Sequence, residues 1–340
     1  MTYLREMNDV NDRAIVVLEQ YELEVFDTRK GRGVMIADTD KGFVTLSEYT
    51  GKPERLSLYK AVCDRLESGG LSCVDNLISN AEGLLYVTDT DGKNYVVKRY
   101  VEGRECDVTN VEECRRMVRD IAKLHHMMEF GEMLQPENAE AEPIIRDFSK
   151  REAELLRVRS FIRKQSKKGE FELAFLKEYA YFENVAKQAS ELLSAECLEA
   201  LSKSVKEKGM YCHGECNQHN LLLQDTEGIA VTHFEKCCMD IQVRDLYLFL
   251  RKILEKNNWS YEMGYSILEA YMQQKELSRQ EKQYLYARLL YPERFWKIAN
   301  AYLNKRKSLP PRRQLEKLNV LTEIEGNRMK FLENLSKELL

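Results

Sequence analysis

The chain has 340 residues, of which 44% are hydrophobic and 32% charged, so it is long enough for a bilobal globular protein. Its formal net charge of −4 gives no reason to expect a nucleic-acid partner. No apolar stretch approaches the ~18 residues of a membrane span, and the polar N-terminus lacks the pattern of a signal peptide. Nine cysteines without a short disulfide framework favour a reducing compartment, so we expect synthesis in the cytoplasm.

The first hundred residues predict five strands of a small antiparallel sheet with one inserted helix. Hairpin turns are indicated by the Asp-Thr-Asp-Lys-Gly run that ends at Gly42 and by the Asp91-Gly92 pair. The inserted helix begins at Pro53 and stops at Gly69-Gly70. The predicted elements include, in chain order, a capped helix over 7–20, strands over 34–37 and 43–46, the inserted helix over 53–69, and strands over 83–87 and 95–100.

After Gly103 the apolar residues recur at helical spacing, which predicts a second lobe that is almost wholly helical. One strand pair around 211–235 interrupts the helices, and an acidic loop is expected over 136–143. The pattern as a whole indicates an α+β, two-lobed chain, divided into an N-lobe (1–103) and a C-lobe (104–340). The helices predicted in the second lobe cover 111–126, 150–167, 173–194, 197–208 and several segments from Leu246 onward.

The run from Tyr211 to Asn220 and the triplet His233-Phe234-Glu235 have the outline of a phosphotransferase site. Phosphoryl transfer on such a site uses an Asp that orients the substrate hydroxyl, an Asn on magnesium and a second Asp on magnesium. Here Asn220 is present, but Glu215 stands at the first Asp position and His233 at the second. The spacing of the site is therefore kept, while two of its three chemical groups differ.

The chain resembles the aminoglycoside phosphotransferase and choline kinase group, whose loop reads His-Gly-Asp-x-x-x-x-Asn and is followed by Asp-Phe-Asp or Asp-Phe-Glu. Within that group it is most similar to the CotS-type spore coat proteins of endospore-forming bacteria, and the resemblance spans nearly the whole chain. Besides the loop, three stretches carry it: Leu23-Glu24-Val25 with Lys30-Gly31-Arg32-Gly33, Tyr100-Val101-Glu102-Gly103-Arg104-Glu105-Cys106-Asp107, and Tyr291-Pro292-Glu293-Arg294-Phe295-Trp296-Lys297-Ile298-Ala299-Asn300.

The resemblance implies a protein-kinase-like fold with a small antiparallel-sheet N-lobe and a mostly helical C-lobe. It implies that Gly31 and Gly33 form the turn that covers phosphates, although two glycines in a hairpin are equally typical of a plain tight turn. It places the hinge between the lobes at Glu102 and Gly103, whose backbone groups would face an adenine ring.

A kinase lobe presents a lysine from its third strand to the nucleotide phosphates. The resemblance places Ser47 at that position, and a hydroxyl cannot supply the missing charge. Lys98, in a Val-Val-Lys context, is the alternative nucleotide lysine, although the resemblance assigns it to the hinge strand. Asp245, at the start of a later helix, is expected either to cap that helix or to brace the catalytic loop.

Glu215 keeps a carboxylate at the base position but is one methylene longer, and a misplacement of ~1 Å can cost on the order of 10²-fold in rate. The loss at His233 is larger, because magnesium requires hard oxygen ligands, whereas imidazole suits zinc, copper or nickel. Glu235, predicted on the same strand face, would bind a metal only weakly. Asn220 would either ligate that metal or hydrogen-bond its own loop.

These departures at Ser47, Glu215 and His233 predict a degenerate kinase, or pseudokinase, that needs no cofactor. The resemblance implies a coat component, made in the mother cell and built into the spore coat, whose partners are other coat proteins. The alternative is an ATP- and magnesium-dependent small-molecule phosphotransferase with Glu215 as base and Asn220 and Glu235 as metal ligands. A further alternative is a zinc-stapled scaffold, in which zinc is held by residues drawn from Cys212, His213, Cys216, His219, His233, Cys237 and Cys238.

Overall fold

A computed structural model describes residues 15–31, 33–131, 134, 143–225, 228–304 and 311–340 of the chain. A short helical segment over 15–19 comes first, and the part of the predicted first helix before residue 15 lies outside the described residues, as do residues 136–142 of the predicted acidic loop over 136–143. No helix in the described part of the chain is both long enough and apolar enough to cross a bilayer.

The N-terminal region is built on an antiparallel sheet in the order β1-β2-β3-β6-β4, with β5 paired to β6 outside this path. The prediction of five strands is wrong, because β4 is a two-residue strand too short to show an alternating pattern and the segment over 83–86 is not a strand. The strands are β1 (Val25–Lys30), β2 (Met35–Thr39), β3 (Gly42–Glu48), β4 (Leu77–Ile78), β5 (Val87–Thr88) and β6 (Asn94–Arg99).

One face of the sheet packs against the short helical segment over 15–19 and the turn that follows it, through Leu18, Tyr21, Val44 and Leu46. Helix α1 (Glu54–Ser68) follows β3, as the sequence predicts, and buries one apolar stripe that includes Leu58, Tyr59 and Val62. The helix ends at Ser68 and is followed by Gly69 and then by Gly70, whose φ of 100° lies in the region that favours glycine.

Beyond residue 103 the chain is mainly helical. Helix α2 (Val111–Met127) begins at Asn110, whose side chain accepts hydrogen bonds from the N–H groups of Glu112 (3.0 Å) and Glu113 (3.3 Å). The later helices are α3 (Ile144–Arg163), α4 (Glu170–Glu191), α5 (Ala195–Lys208), α6 (Val243–Lys256), α7 (Tyr261–Met272), α8 (Arg279–Leu290), α9 (Glu293–Asn304) and α10 (Pro311–Leu339).

Short strands between α5 and α6 position the candidate site. The predicted interruption around 211–235 is found as β8 (Tyr211–Cys212), β9 (Leu221–Leu223) and β10 (Ile229–Val231), followed by β11 (Cys238–Met239). Strand β7 (Arg104–Glu105) pairs with β9, so the segment after the first sheet is joined to the helical part. A large core of buried residues runs continuously from α1 through these strands to α6 and α7.

Candidate functional site

The backbone of the predicted catalytic loop is held from below by Asp245. This residue is fully buried in the first turn of α6, where its two carboxylate oxygens accept the N–H groups of His213 (2.6 Å) and Gly214 (2.9 Å). Although burial opposes it, contacts with His125 and the Gly214 N–H hold the pKa of Asp245 below its usual range. The geometry therefore shows that Asp245 braces the catalytic loop, which is the second of its two expected roles.

The loop is also closed by hydrogen bonds within itself. The carbonyl of Glu215 accepts the side-chain amides of Asn217 (2.7 Å) and Asn220 (3.0 Å), and the carbonyl of Asn220 accepts the Thr232 N–H (2.8 Å). Asn220 thus hydrogen-bonds its own loop through Nδ2, whereas a metal would be bound by Oδ1, so its role toward a metal stays a prediction.

The Glu215 carboxylate faces a lysine and is partly exposed. Its Oε1 lies 2.6 Å from the Nζ of Lys236, and 39% of the Glu215 side chain is accessible to solvent. An exposed pair of this kind is worth about 0–1 kcal/mol, so it does little to fix the carboxylate in place. The role of Glu215 as a base stays a prediction.

The predicted strand through 233–235 is wrong. His233 adopts a left-handed conformation (φ 67°, ψ 57°), and a short 3₁₀ helix (Phe234–Lys236) follows it, so Glu235 is not two positions along a strand face. The cause is tertiary: the buried Phe234 ring packs against Tyr59 (5.7 Å between centroids) and His213 (4.9 Å), which turns the chain inward. The left-handed conformation is one that His, Asn and Asp adopt more readily than most residues.

Behind this triplet lies a buried ionic cluster that we call the lysine cluster: Lys98, Asp75, Glu235 and Tyr59. The Nζ of Lys98 pairs with Glu235 Oε1, lies 3.4 Å from Asp75 Oδ2, and stands 4.8 Å above the Tyr59 ring. The hydroxyl of Tyr59 donates to Asp75 Oδ1 (2.5 Å). Only 3% of Lys98 is exposed, so its charge is paired with groups of the protein and not with solvent.

The cluster also joins the first sheet to the triplet. Asp75 accepts the backbone N–H of His233 (3.0 Å), and its own N–H donates to the carbonyl of Val231 (3.2 Å). Sequence reasoning missed Asp75 and Tyr59. The available signal was an acidic residue, followed by Asn76, inside the mainly apolar run Cys73-Val74-Asp75-Asn76-Leu77-Ile78, since a carboxylate in such a run needs a partner when it is buried.

The ionisation of the cluster follows from its contacts. Burial would raise the pKa of Glu235, but the imidazole of His233, whose Nδ1 lies 3.7 Å from Glu235 Oε2, and the Lys98 charge hold it far below the usual range. The Lys98 pKa is raised, because Asp75 and Glu235 outweigh the opposing effect of burial. The nearby Glu235 carboxylate likewise raises the pKa of His233. A cation thus neutralises the one acidic side chain of the triplet.

Ser47 and Lys98 are neighbours on one face of the sheet. Strands β3 and β6 pair Thr45 with Lys98 and Ser47 with Val96. Directly paired residues share a face, and so do residues two apart on one strand, so Lys98 is the diagonal neighbour of Ser47, at a typical spacing of roughly 7–8 Å. An amine therefore stands one strand away from the position where the resemblance implies a lysine.

The hinge predicted at Glu102 and Gly103 lies against the loop strands. The carbonyl of Glu102 accepts the side-chain amide of Gln224, and a Cβ at Gly103 would lie 2.7 Å from the Cβ of Leu222. Only glycine fits this close approach. The Gln224 amide occupies the carbonyl of Glu102, a backbone group that the resemblance assigned to adenine, and this contact was not visible in the sequence.

The glycine pair lies in the β1–β2 hairpin, where the Gly31 N–H donates to the carbonyl of Val34 (2.9 Å) and Gly33 has φ 75°. A Cβ at Gly31 would lie 3.0 Å from Val34 and 3.1 Å from Ile36, so the hairpin closes on itself. Arg32 lies outside the described residues. The geometry is that of a tight turn, and its role toward phosphates stays a prediction.

Within the described residues, no group of three or more His, Cys, Asp or Glu side chains is arranged to hold a metal ion. The zinc alternative finds no support, since Cys212, Cys216, Cys237 and Cys238 are buried thiols, and the Cys212 thiol donates to the carbonyl of Ile241 (3.1 Å). The triplet does not fit magnesium in this arrangement either, because a lysine, rather than a cavity, faces the Glu235 carboxylate.

Comparison with solved structures shows the fold. An aminoglycoside phosphotransferase from Alicyclobacillus acidocaldarius matches with a TM-score of 0.81 at 18% identity, covering 95% of each chain. A spectinomycin phosphotransferase solved with ADP and spectinomycin matches at 0.58 and 13% identity, over 92% of this chain and 94% of that one. A microcompartment-associated aminopropanol kinase matches at 0.59 and 13% identity, over 95% and 97%. The predicted α+β, bilobal, kinase-like fold is confirmed.

A family model described as "Spore coat putative kinase YutH" matches residues 15–335. The match covers both lobes and the whole candidate site, and it confirms the resemblance to spore coat proteins built on the phosphotransferase fold. The chain belongs to the YutH family of kinase-like spore coat proteins.

Proposed function

We propose that the protein is a pseudokinase of the spore coat, which keeps the kinase fold as a scaffold for binding other coat proteins and has little or no phosphotransferase activity. The observation that carries the proposal is the burial of Lys98 between Asp75 and Glu235. A kinase needs its lysine on the nucleotide and its acidic triplet residue beside the metal. In this arrangement each of the two groups neutralises the other.

Two other features support the same proposal. The Glu102 carbonyl is bound to Gln224, and His233 takes the place of the principal magnesium ligand. Meanwhile the brace at Asp245, the hinge at Gly103 and the continuous core maintain the fold without any of the catalytic groups. Membership of a spore coat family supports the location, and we propose synthesis in the mother cell followed by incorporation into the coat.

A melting experiment with ATP and magnesium tests the loss of nucleotide binding. A ligand at 100 times its dissociation constant stabilises a protein by about 2.7 kcal/mol, which is readily visible in melting. We expect no magnesium-dependent shift at millimolar ATP and no measurable ATP turnover. The matched comparison is the triple variant Ser47→Lys, Glu215→Asp, His233→Asp, which should bind magnesium-ATP better than the parent. A clear magnesium-dependent shift in the parent would overturn the proposal.

The coat role is tested separately in a sporulating host of this family. A fluorescent fusion should be made in the mother cell and then surround the forespore, and the protein should be recovered in the extracted coat fraction. Because the proposed role is structural, His233→Ala and Asn220→Ala variants should localise as the parent does. Loss of localisation in both variants, with normal folding, would show that the candidate site itself is needed.

A second function is favoured by one observation, the position of Lys98 beside Ser47. If the amine left Glu235 when a nucleotide entered, Lys98 would replace the missing lysine, and Glu215, Asn220 and Glu235 would serve an ATP-dependent small-molecule phosphotransferase. This function predicts a magnesium-ATP shift in the parent that disappears in Lys98→Met and persists in Ser47→Ala. The pseudokinase proposal predicts no shift in any of the three proteins.

A further inference from the structure

A polar cavity of about 170 Å³ lies beside the catalytic loop and carries an unusual set of charges for its size. Gly214, the neighbour of Glu215, forms part of its wall, and helices α3, α6, α8 and α9 supply the rest. Three guanidinium groups line it, those of Arg151, Arg244 and Arg288, together with the carboxylates of Asp147 and Glu293. A buried water needs only ~10–15 Å³ by the same measure, so the cavity admits a phosphate or carboxylate group.

The two carboxylates of the cavity are already shared among several cations. Asp147 accepts Arg151 Nε (2.8 Å) and Arg288 Nη1 (3.1 Å). Glu293 lies near Arg151 Nη1 (3.1 Å), Arg251 Nη2 (3.6 Å) and Lys297 Nζ (2.5 Å), and it accepts the Tyr247 hydroxyl. Although burial opposes it, these cations hold the pKa of Glu293 far below its usual range. Both carboxylates are therefore already paired with cations of the protein.

The charges around the cavity are nearly balanced. Arg244 pairs with Asp240 (2.9 Å) and Arg251 with Glu255 (2.7 Å), which gives five cations and four carboxylates. The side chain of Lys297 is 50% exposed, so the four arginines balance the four carboxylates, and an anion would be held by donors that lack acceptors rather than by a buried net charge. The cations of the network are Arg151, Arg244, Arg251, Arg288 and Lys297, and its carboxylates are Asp147, Asp240, Glu255 and Glu293.

Donors are also left without acceptors. Arg151 Nη1 is buried and has no hydrogen-bond partner among the described residues, because its approach to Glu293 lacks hydrogen-bond geometry. The hydrogen bonds of Arg244 to Asp240 and to Cys238 Sγ (3.4 Å) both use Nη1, which leaves Nε and Nη2 for another acceptor among the groups described. Paired guanidinium donors of this kind suit the oxygens of phosphate or carboxylate, which they bind in a fork.

We propose that this cavity binds one oxyanion group, a phosphate or a carboxylate, through Arg151 and Arg244, with Arg288 as the buried countercharge. Arg288 is held rigidly, since its guanidinium donates to the Tyr284 hydroxyl (3.1 and 3.2 Å) and lies 5.6 Å from the centre of the Phe148 ring. The same charges disfavour a cationic amine, so the cavity selects against ligands such as aminoglycosides. The proposal does not depend on whether phosphate transfer occurs.

The test measures binding of inorganic phosphate and of malonate by calorimetry and by melting, without nucleotide or magnesium, against chloride at matched ionic strength. We expect the parent to bind phosphate or malonate more tightly than chloride, and Arg151→Gln to weaken that binding by about tenfold or more, as loss of a charge-assisted hydrogen bond implies. The matched control is Arg157→Gln on the same helix, whose 68%-exposed side chain lies away from the cavity and should leave binding unchanged.

The two anions distinguish the chemistry, because a preference for one over the other identifies the group that the cavity takes. If Arg151→Gln does not fold, Arg244→Gln decides, since Arg244 is nearer the surface, with 28% of its side chain exposed. A parent that responds to phosphate and malonate only as it does to chloride would overturn the proposal, and so would an arginine variant that folds and binds as the parent does. Because nucleotide is absent, neither result bears on the pseudokinase proposal.

Discussion

The braced loop and the lysine cluster bury an acidic residue in two different ways. The carboxylate of Asp245 accepts two backbone N–H groups of the loop and lies 3.5 Å from His125 Nε2, whereas Asp75 faces the amine of Lys98 and shares it with Glu235. The brace depends on chain geometry and needs no particular side chain at 215 or 220. The cluster depends on side-chain identity. A kinase fold can therefore keep its loop conformation while the groups that perform the chemistry change.

The largest effect is expected from Lys98→Met, which leaves Asp75 and Glu235 buried without a cation. Breaking a buried pair by removing one partner costs about 3–5 kcal/mol. The control is Lys93→Met: Lys93 pairs with Glu48 at the surface (3.0 Å), with 48% of its side chain exposed, and such pairs are worth about 0–1 kcal/mol. Urea unfolding measures both free energies. Equal losses of unfolding free energy in the two variants would show that Lys98 does not stabilise the lysine cluster.

Asp245→Ala should rank next, because it leaves the N–H groups of His213 and Gly214 buried without an acceptor. An unsatisfied buried donor costs about 1–3 kcal/mol, so we expect a loss of roughly 2–5 kcal/mol in the free energy of unfolding. Glu333→Ala, at a side chain 73% exposed on α10, serves as the control and should change stability by less than about 0.5 kcal/mol. A loss at Asp245 no larger than the control would refute the brace.

Alanine substitutions at Gly214 and at Gly228 test the close contact between the loop and the triplet. Gly214 (φ 84°) and Gly228 (φ 104°) both lie in the region that disfavours other residues, but a Cβ at Gly214 would lie 2.1 Å from the Lys236 carbonyl oxygen, and one at Gly228 meets nothing within 4 Å. Alanine should therefore cost about 1–2 kcal/mol at both sites from backbone conformation, and about 1–3 kcal/mol more at Gly214 from the clash. Thermal melting of the two variants compares them, and similar losses would contradict the close approach.

The smallest effect concerns pH. The Glu235 carboxylate, whose Oε2 lies 3.7 Å from His233 Nδ1, raises the pKa of His233 in the folded protein above the unfolded value of ~6.5. Since the folded pKa is the higher one, this contribution to stability is complete below pH ~6.5 and is lost as the pH rises through the folded pKa. Stability measured from pH 6 to pH 8 should fall more steeply in the parent than in His233→Gln. A parallel fall in both proteins would show that Glu235 does not stabilise the protonated form of His233.

Much of the fold followed from local signals. The helix over 54–68 begins at Pro53 and ends at a glycine pair, and the second lobe shows helical periodicity over long segments, so both were predictable. The two-residue strand β4 and the false strand at 83–86 were not, because elements this short carry no period of their own. The division of the chain near residue 104 rests on the sequence and stays a prediction.

The candidate site likewise combines features that the sequence predicts with features that it does not predict. The sequence by itself determined the spacing of the loop and triplet and the identities of Ser47, Glu215, Asn220 and His233, since these are properties of the linear chain. Only the tertiary structure decided that Phe234 turns the triplet off its strand. It also brought Lys98 to Glu235, 137 residues away, and placed Asp245 beneath Gly214. Contacts between distant segments depend on how the core packs, and the local pattern of residues carries no record of that packing.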